Sequence, residues 1–342
     1  MNLSYTQYDV RCTHPFGIAR STHATYPEIF VYLEQDGIIG RGEASPSDRY
    51  GESADLILSK LARGIQLPQE KEHPKVFEET VLPHCDGIKA MEVALSMAYL
   101  DWWTQKEGIS IKDFFGVTTN TGPLTSFTIA IGNMALIAQK IEEAEPYYIL
   151  KVKLGSDNDK EIINAIRAET DKVIRVDANE GWDLDTGEIM CKWLADQNVA
   201  FVEQPLPAAN LHETAELKKK SPIPLFADEN CLNPENIPEI AHAFDGINIK
   251  LMKCGSMLKA KQMIDMARER GLQSMLGCMV ESSIGITAAA HLSPLIDYAD
   301  LDGHLLIDND PYSGVQIEDG KVVIPDGNGL GLQLNSTVKG LK

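Results

Sequence analysis

The chain has 342 residues, 44% hydrophobic and 24% charged, a composition that suits a globular protein with a substantial core. Its 50 acidic against 31 basic residues leave a formal net charge of −19, which argues against nucleic acid or an anionic membrane as partner, because phosphate affinity rests on clustered Lys and Arg. MNLSYTQYDV carries no signal-peptide pattern, no apolar run approaches a membrane span, and the six cysteines form no Cys-x-x-Cys pair, so a cytoplasmic protein with reduced thiols is expected.

The first third reads as α+β. EIFVYLEQDGIIGRGEA (28–44) predicts a hairpin turning at Asp36-Gly37. ADLILSKLARGI (54–65) and GIKAMEVALSMAYLDWWTQKEG (87–108) predict helices, the second with an apolar face of Met91, Ala94, Leu95, Ala98 and the stretch Leu100–Trp102. The stretch 116–123, rich in Thr, Asn and Gly, reads as a linker between an N-terminal domain (1–118) and a second one (122–310).

After it, short apolar runs recur: SFTIAIG, YYILKVKLG, VIRVDANEG, AFVEQPL, PLFADEN, GINIKLMKCG, QSMLGCMVESS and YADLDGHL. Helical patterns lie between most of them, among them DKEIINAIRAE, TGEIMCKWLADQ, NLHETAELKKK and MLKAKQMIDMARERG. Eight strands alternating with helices, at a spacing of about 25 residues, predict a (β/α)8-type barrel. A doubly wound sheet is the competitor, but it usually carries a Gly-rich phosphate loop after its first strand. The dense glycine cluster, GNGLGL at 327–332, lies near the C-terminus with no following helix.

Polar residues stand in phase at the ends of these runs. Asp177 and Asn179 end VIRVDAN, Glu203 ends AFVE, Asp228 ends PLFAD, and Lys250 lies in GINIK, one βα unit apart each time. In a barrel, such residues converge on one mouth. Asp177, Glu203 and Asp228 would repel one another unless a cation sat between them, and an all-oxygen cluster suits Mg2+.

The lysines then become intelligible. YILKVKLG puts Lys151 and Lys153 on one strand face, an electrostatic fault in isolation. In the barrel, Lys153 on the second strand and Lys250 on the sixth approach the axis from opposite sides. A carboxylate substrate between them could lose a proton on one face and regain it on the other, a 1,1-proton transfer, with the metal stabilising the enediolate and Lys151 assisting electrostatically. Lys253 rivals Lys250, and periodicity does not choose between them.

These residues resemble the enolase superfamily, in its muconate-lactonizing-enzyme-like subgroup. The matching motifs are KVK, VDAN, FVEQP, ADE, INIKLMKCG and GCMVESSIG (around Glu281), with PFGIARS, GRGEASPSDRYGES and IPDGNGLGL resembling the capping domain. The resemblance implies a modified (β/α)7β barrel, an N-terminal α+β cap joined by residues 311–342, Mg2+ as the metal, and Lys250 rather than Lys253 as the base. It also leaves room for a homo-oligomer.

YADLDGHL resembles the Asp-x-Asp signature of dipeptide epimerases, which assigns Asp300 and Asp302 to a dipeptide's α-ammonium. Arg20 matches a loop arginine that serves the side-chain carboxylate of Glu in members acting on L-Ala-D/L-Glu, and Thr128 is a candidate for holding the α-carboxylate. The resemblance thus implies a Mg2+-dependent L-Ala-D/L-Glu epimerase, tied to recycling of murein peptides. Glu180 departs from the family's usual Gln or Gly and faces either the site or solvent. The alternatives are o-succinylbenzoate synthase, N-succinyl amino acid racemase or cycloisomerase chemistry on the same scaffold, and a non-catalytic ligand-binding barrel; none of the first three needs an ammonium clamp.

Overall fold

Asp36 and Gly37 both take left-handed backbone angles, φ 56° and 76°, the geometry a two-residue hairpin turn requires. They join β2 (Ser21–Gln35) to β3 (Ile38–Ala44), and β1 (Asn2–Ile18) pairs antiparallel on the other side of β2. The computed structural model describes residues 1–342 except Ala19, Arg20, Asn133, Ser336 and Thr337, so Arg20 lies outside the described residues.

The cap is completed by α1 (Ala54–Ala62), α2 (Pro74–Val81), α3 (Lys89–Glu107) and α4 (Ile111–Phe114). The sequence marks one apolar face on α3, yet nearly every residue from Ala90 to Trp102 is buried. The reason is tertiary: α3 lies between the cap sheet and the barrel's outer helices. Gly40 and Gly42 make the close approach possible, because a Cβ on either would stand 1.9 Å from a carbonyl oxygen of α3 (Ala98 and Ala94).

The predicted linker is partly a strand, β4 (Thr121–Leu124). Its partner is β15 (Lys321–Val323), some two hundred residues away in sequence and invisible to local pattern. All eight predicted barrel strands are present: β5 (Ser126–Ile129), β6 (Ile149–Lys153), β7 (Val173–Asp177), β8 (Val199–Glu203), β9 (Leu225–Ala227), β10 (Gly246–Lys250), β11 (Gln273–Gly277) and β12 (Tyr298–Asp300). They pair parallel in chain order. Around them stand α5 (Ile137–Glu143), α6 (Asp159–Glu169), α7 (Leu184–Ala195), α8 (Leu211–Lys220), α9 (Asn236–Ile240), α10 (Leu251–Cys254), α11 (Met257–Glu269) and α12 (Ser283–Ala290).

The ring closes between its first and last strands by a parallel bridge, Thr125 to Ala299, and by side chains: the Leu301 amide donates to Thr125 Oγ1 (2.9 Å) and Ser126 Oγ donates to Asp300 (2.6 Å). Among the described residues, β12 is followed by a 3₁₀ turn at Gly303–Leu306 and no full helix. The chain then returns to the cap through β13 (Tyr312–Ser313), β14 (Gln316–Glu318), β15 and β16 (Gln333–Leu334). Tyr312 shares a 2.8 Å hydroxyl contact with Tyr32, and the Leu330 amide donates to Asp101 of α3. Gly327, Gly329 and Gly331 of the GNGLGL cluster take left-handed backbone angles within this return. Among the described residues, no helix is long and apolar enough to cross a membrane.

Gly42→Val should cost at least about 1–3 kcal/mol of stability, since the added side chain meets helix backbone that cannot move aside. Urea denaturation read by circular dichroism checks this, and an unchanged midpoint would show that the α3–β3 approach can relax.

Candidate active site

Along VIRVD the period of two sends Ile174 and Val176 outward to the helices and Arg175 and Asp177 into the barrel. Register does the rest. Lys153 pairs with Asp177 and Asp177 with Glu203, so a lysine and two carboxylates from three strands arrive at one level. Asp228 follows β9 by one residue. Oxygens of Asp177, Glu203 and Asp228 all lie within 4.8 Å of one another, close enough to be gathered around one cation. All three donors are hard oxygens and all three residues are buried, which fits Mg2+.

Four lysines surround this cluster. Lys151 Nζ stands 2.7 Å from Asp300, 2.8 Å from Glu203 Oε2 and 3.2 Å from Asp177. The Glu203 contact is an ion pair without hydrogen-bond geometry, which leaves Oε2 available to another cation. Lys153 pairs with Asp177 at 2.7 Å and Lys250 with Asp228 at 2.9 Å. β10 stops at Lys250 and turns helical at Leu251–Cys254, so Lys253 does not point to the opposite face as a continuing strand would require. It turns back to the Asp228 carboxylate and to the carbonyls of Asp228 (2.7 Å) and Asn248 (3.0 Å).

Burial opposes every charge here, and pairing decides the outcome. At Lys151, burial is outweighed by Asp300, Glu203 and Asp177, which hold its pKa well above the ordinary value. At Lys250, burial is outweighed by Asp228, with the same result. Conversely, the lysines overcome burial at Asp177, Asp228 and Asp300 and hold these carboxyls low. Glu203 goes the other way, pushed up first by burial and then by the charge of Asp177. It is the acid that most needs a further cation.

Lys151, Lys153, Asp228 and Lys250 lie at the floor of a cavity of about 520 Å3, with Asp177 and Glu203 fully buried rather than on its lining. Its roof comes from the cap: Phe16, Ile18, Tyr26 and the 45–53 loop with Tyr50. Thr128, Asp300 and Asp302 line one side. Asp302 lies beyond the end of β12 rather than on its face and accepts the Thr128 amide at 2.6 Å. Burial first and Asp300 second push its carboxyl up to about 7. Asp300, already bonded to Lys151 and Ser126, is the more committed of the two.

Three supporting residues, Asn248, Ser126 and Arg175, went unmarked in the sequence, though one signal was available. Each stands two positions before a marked residue, hence on the same inward face. Asn248 donates to Glu203 Oε1 at 2.7 Å, and Ser126 fastens Asp300. Arg175 donates to the Ala299 carbonyl at 2.6 Å, its guanidinium over the Phe201 and Tyr298 rings. Glu281 accepts the Met279 amide and is pushed up to about 8, first by burial and then by Glu43. Glu43 in turn accepts Ser282 and the Gly285 amide, so the loop after β11 is sewn to the cap.

The family model described as Enolase C-terminal domain-like matches residues 133–338. The chain belongs to the enolase superfamily. An L-Ala-D/L-amino acid epimerase from Flavobacterium johnsoniae is 36% identical over 98% of this chain and 100% of its own. An L-Ala-D/L-Glu epimerase from Bacteroides thetaiotaomicron is 37% identical over 97% of this chain and 88% of its own. Among solved structures, a dipeptide epimerase from Cytophaga hutchinsonii, complexed with Mg and the dipeptide D-Ala-L-Val, superposes with a TM-score of 0.90 at 26% identity, covering 98% of this chain and 96% of that one. The enolase-superfamily architecture of barrel and cap is thus matched along nearly the whole chain.

If the three carboxylates hold the cation, Mg2+ should bind once per chain by calorimetric titration, and Asp228→Asn should weaken it at least about 100-fold. Undiminished binding by that variant would place the ion elsewhere.

Proposed function

We propose that this chain is a Mg2+-dependent dipeptide epimerase that inverts the α-carbon of the C-terminal residue by two-base 1,1-proton transfer. The observation that carries this reading is the pair Lys153 and Lys250, on strands four apart in an eight-stranded ring and hence on opposite walls, with the carboxylate cluster between them. Relatives named epimerases over nearly the whole chain support it.

Asp177, Glu203 and Asp228 would hold the metal. When bound, Mg2+ supplies the positive charge that acidifies the proton α to a carboxylate and, by taking up the charge of the three acids, loosens their hold on the lysine protons. One lysine, as the neutral amine, takes the α-proton, and the electron pair left behind spreads into the carboxylate. The opposite lysine, as ammonium, returns a proton to the other face. Lys151, fixed by Asp300, Glu203 and Asp177, stays cationic and stabilises the developing negative charge, with Thr128 near the α-carboxylate. Asp302, with Asp300 beside it, meets the dipeptide's ammonium.

We take L-Ala-D/L-Glu as the substrate. Arg20 of PFGIARS matches the loop arginine that the family resemblance assigns to a Glu side chain, and a guanidinium suits that carboxylate. That substrate ties the protein to recycling of murein peptides. A cytoplasmic location agrees with six free cysteines, and a homo-oligomer is in keeping with the family resemblance.

L-Ala-L-Glu incubated with Mg2+ in D2O should exchange its Glu α-proton by 1H NMR and give the diastereomer, whereas Lys153→Ala and Lys250→Ala should each abolish epimerisation. No exchange with this substrate or with a dipeptide library would sink the proposal. The pH dependence follows from Asp302. A carboxyl raised to about 7 is charged above that pH and neutral below it, while the substrate ammonium, of pKa about 8, stays charged. KM should therefore rise as pH falls from 7.5 to 6, and Asp302→Asn should show a high KM with no such rise. A wild-type KM flat across this range would remove Asp302 from the clamp.

A further inference from the structure

Glu180 stands at the barrel mouth with its backbone in the left-handed region (φ 67°), an uncommon conformation for a residue with a long side chain. Its carboxylate is nearly enclosed, at 11% exposure, and three donors meet it. The Ala208 amide donates to Oε1 at 2.8 Å, and Arg49 of the cap donates through Nε (3.0 Å) and Nη2 (2.9 Å), one to each oxygen. A neutral Gln could not receive that fork on both atoms, and Gly would offer nothing.

Arg49 belongs to the 3₁₀ turn Asp48–Tyr50 in the middle of the loop that roofs the cavity. The loop is fastened at its ends, to the cap at both and at Ser45 also to the barrel's Val280 carbonyl and Met252. Ser45 Oγ donates to Glu28, while Glu52 accepts the Lys89 and Ala90 amides of α3 and Ser53 caps α1. At its middle it reaches across to the barrel through Arg49. The next residue, Tyr50, lines the cavity beside Asp228 and Lys250, close enough for its phenol to feel both charges.

We propose that Glu180 is a positioning residue: through Arg49 it latches the cap loop to the barrel and sets Tyr50 as the wall of the substrate cavity on the Lys250 side. Removing the latch leaves the two bases in place and loosens the roof, so it acts on substrate binding more than on proton transfer. Arg49 is partly open to water, so salt weakens the latch.

The test compares wild type, Glu180→Gln, Arg49→Met and the double variant, each as the full chain with Mg2+. Hydrogen–deuterium exchange of the peptide spanning 45–53 reads the latch directly, because the Tyr50, Gly51 and Glu52 amides bond within this turn. Each single variant should exchange there several-fold faster, and the double variant no faster than the singles. In the kinetic arm, which rests on the epimerase reading, each single variant should raise the KM for L-Ala-L-Glu about three- to tenfold with kcat within about twofold. The double variant should match the singles rather than multiply them, and 0.5 M NaCl should move wild type toward the variants. Unchanged exchange in either single variant, unchanged KM in an active enzyme, or effects that multiply in the double variant would each overturn the latch. Should wild type turn over no dipeptide, the epimerase reading fails and the exchange arm still decides the latch.

Discussion

Lys151 is a buried ammonium whose neighbours are carboxylates from three other strands, Asp177 of β7, Glu203 of β8 and Asp300 of β12. A lone ammonium there would be untenable, and so would the acids without it, since breaking one side of such a set leaves an uncompensated charge worth several kcal/mol. The metal cluster and the ammonium clamp share this ion as common counter-charge. Asp300 reaches it only because β12 returns to β5, where Thr125 and Ser126 fasten the last strand to the first. Barrel closure and site assembly are therefore one event.

The cap meets the barrel across an acidic seam. Glu28 of β2, Glu43 of β3 and Glu281 after β11 are all buried, and burial raises all three carboxyls. The donors that meet them are backbone amides and serine hydroxyls, which holds the roof in register without placing further cations near the bases. Charged pairs also cross from cap to barrel, Arg49–Glu180 and Lys259–Glu92 among them, each with a partly exposed cation.

Much of this was legible in the chain itself. The eight strands announced themselves by short apolar runs at regular spacing, and the acids by their phase at the ends of those runs. What stayed hidden depended on distant partners. β4 reads as a linker because its partner strand lies near the C-terminus, and α3 reads as amphipathic because the second surface that buries it belongs to the barrel. Lys253 could not be assigned from periodicity because the strand ends at Lys250, and Arg175, Asn248 and Ser126 looked like ordinary strand residues until the ring closed around them.

By itself, the sequence determined the fold class and the inward-facing acids and lysines, because both follow from periodicities of a few residues that a strand or helix enforces locally. The tertiary structure decided which lysine meets which carboxylate, which Asp of the pair is already committed, and that Glu180 faces an arginine of the cap rather than solvent. Those are distances between residues tens to hundreds of positions apart, set by barrel closure and by the seating of the cap.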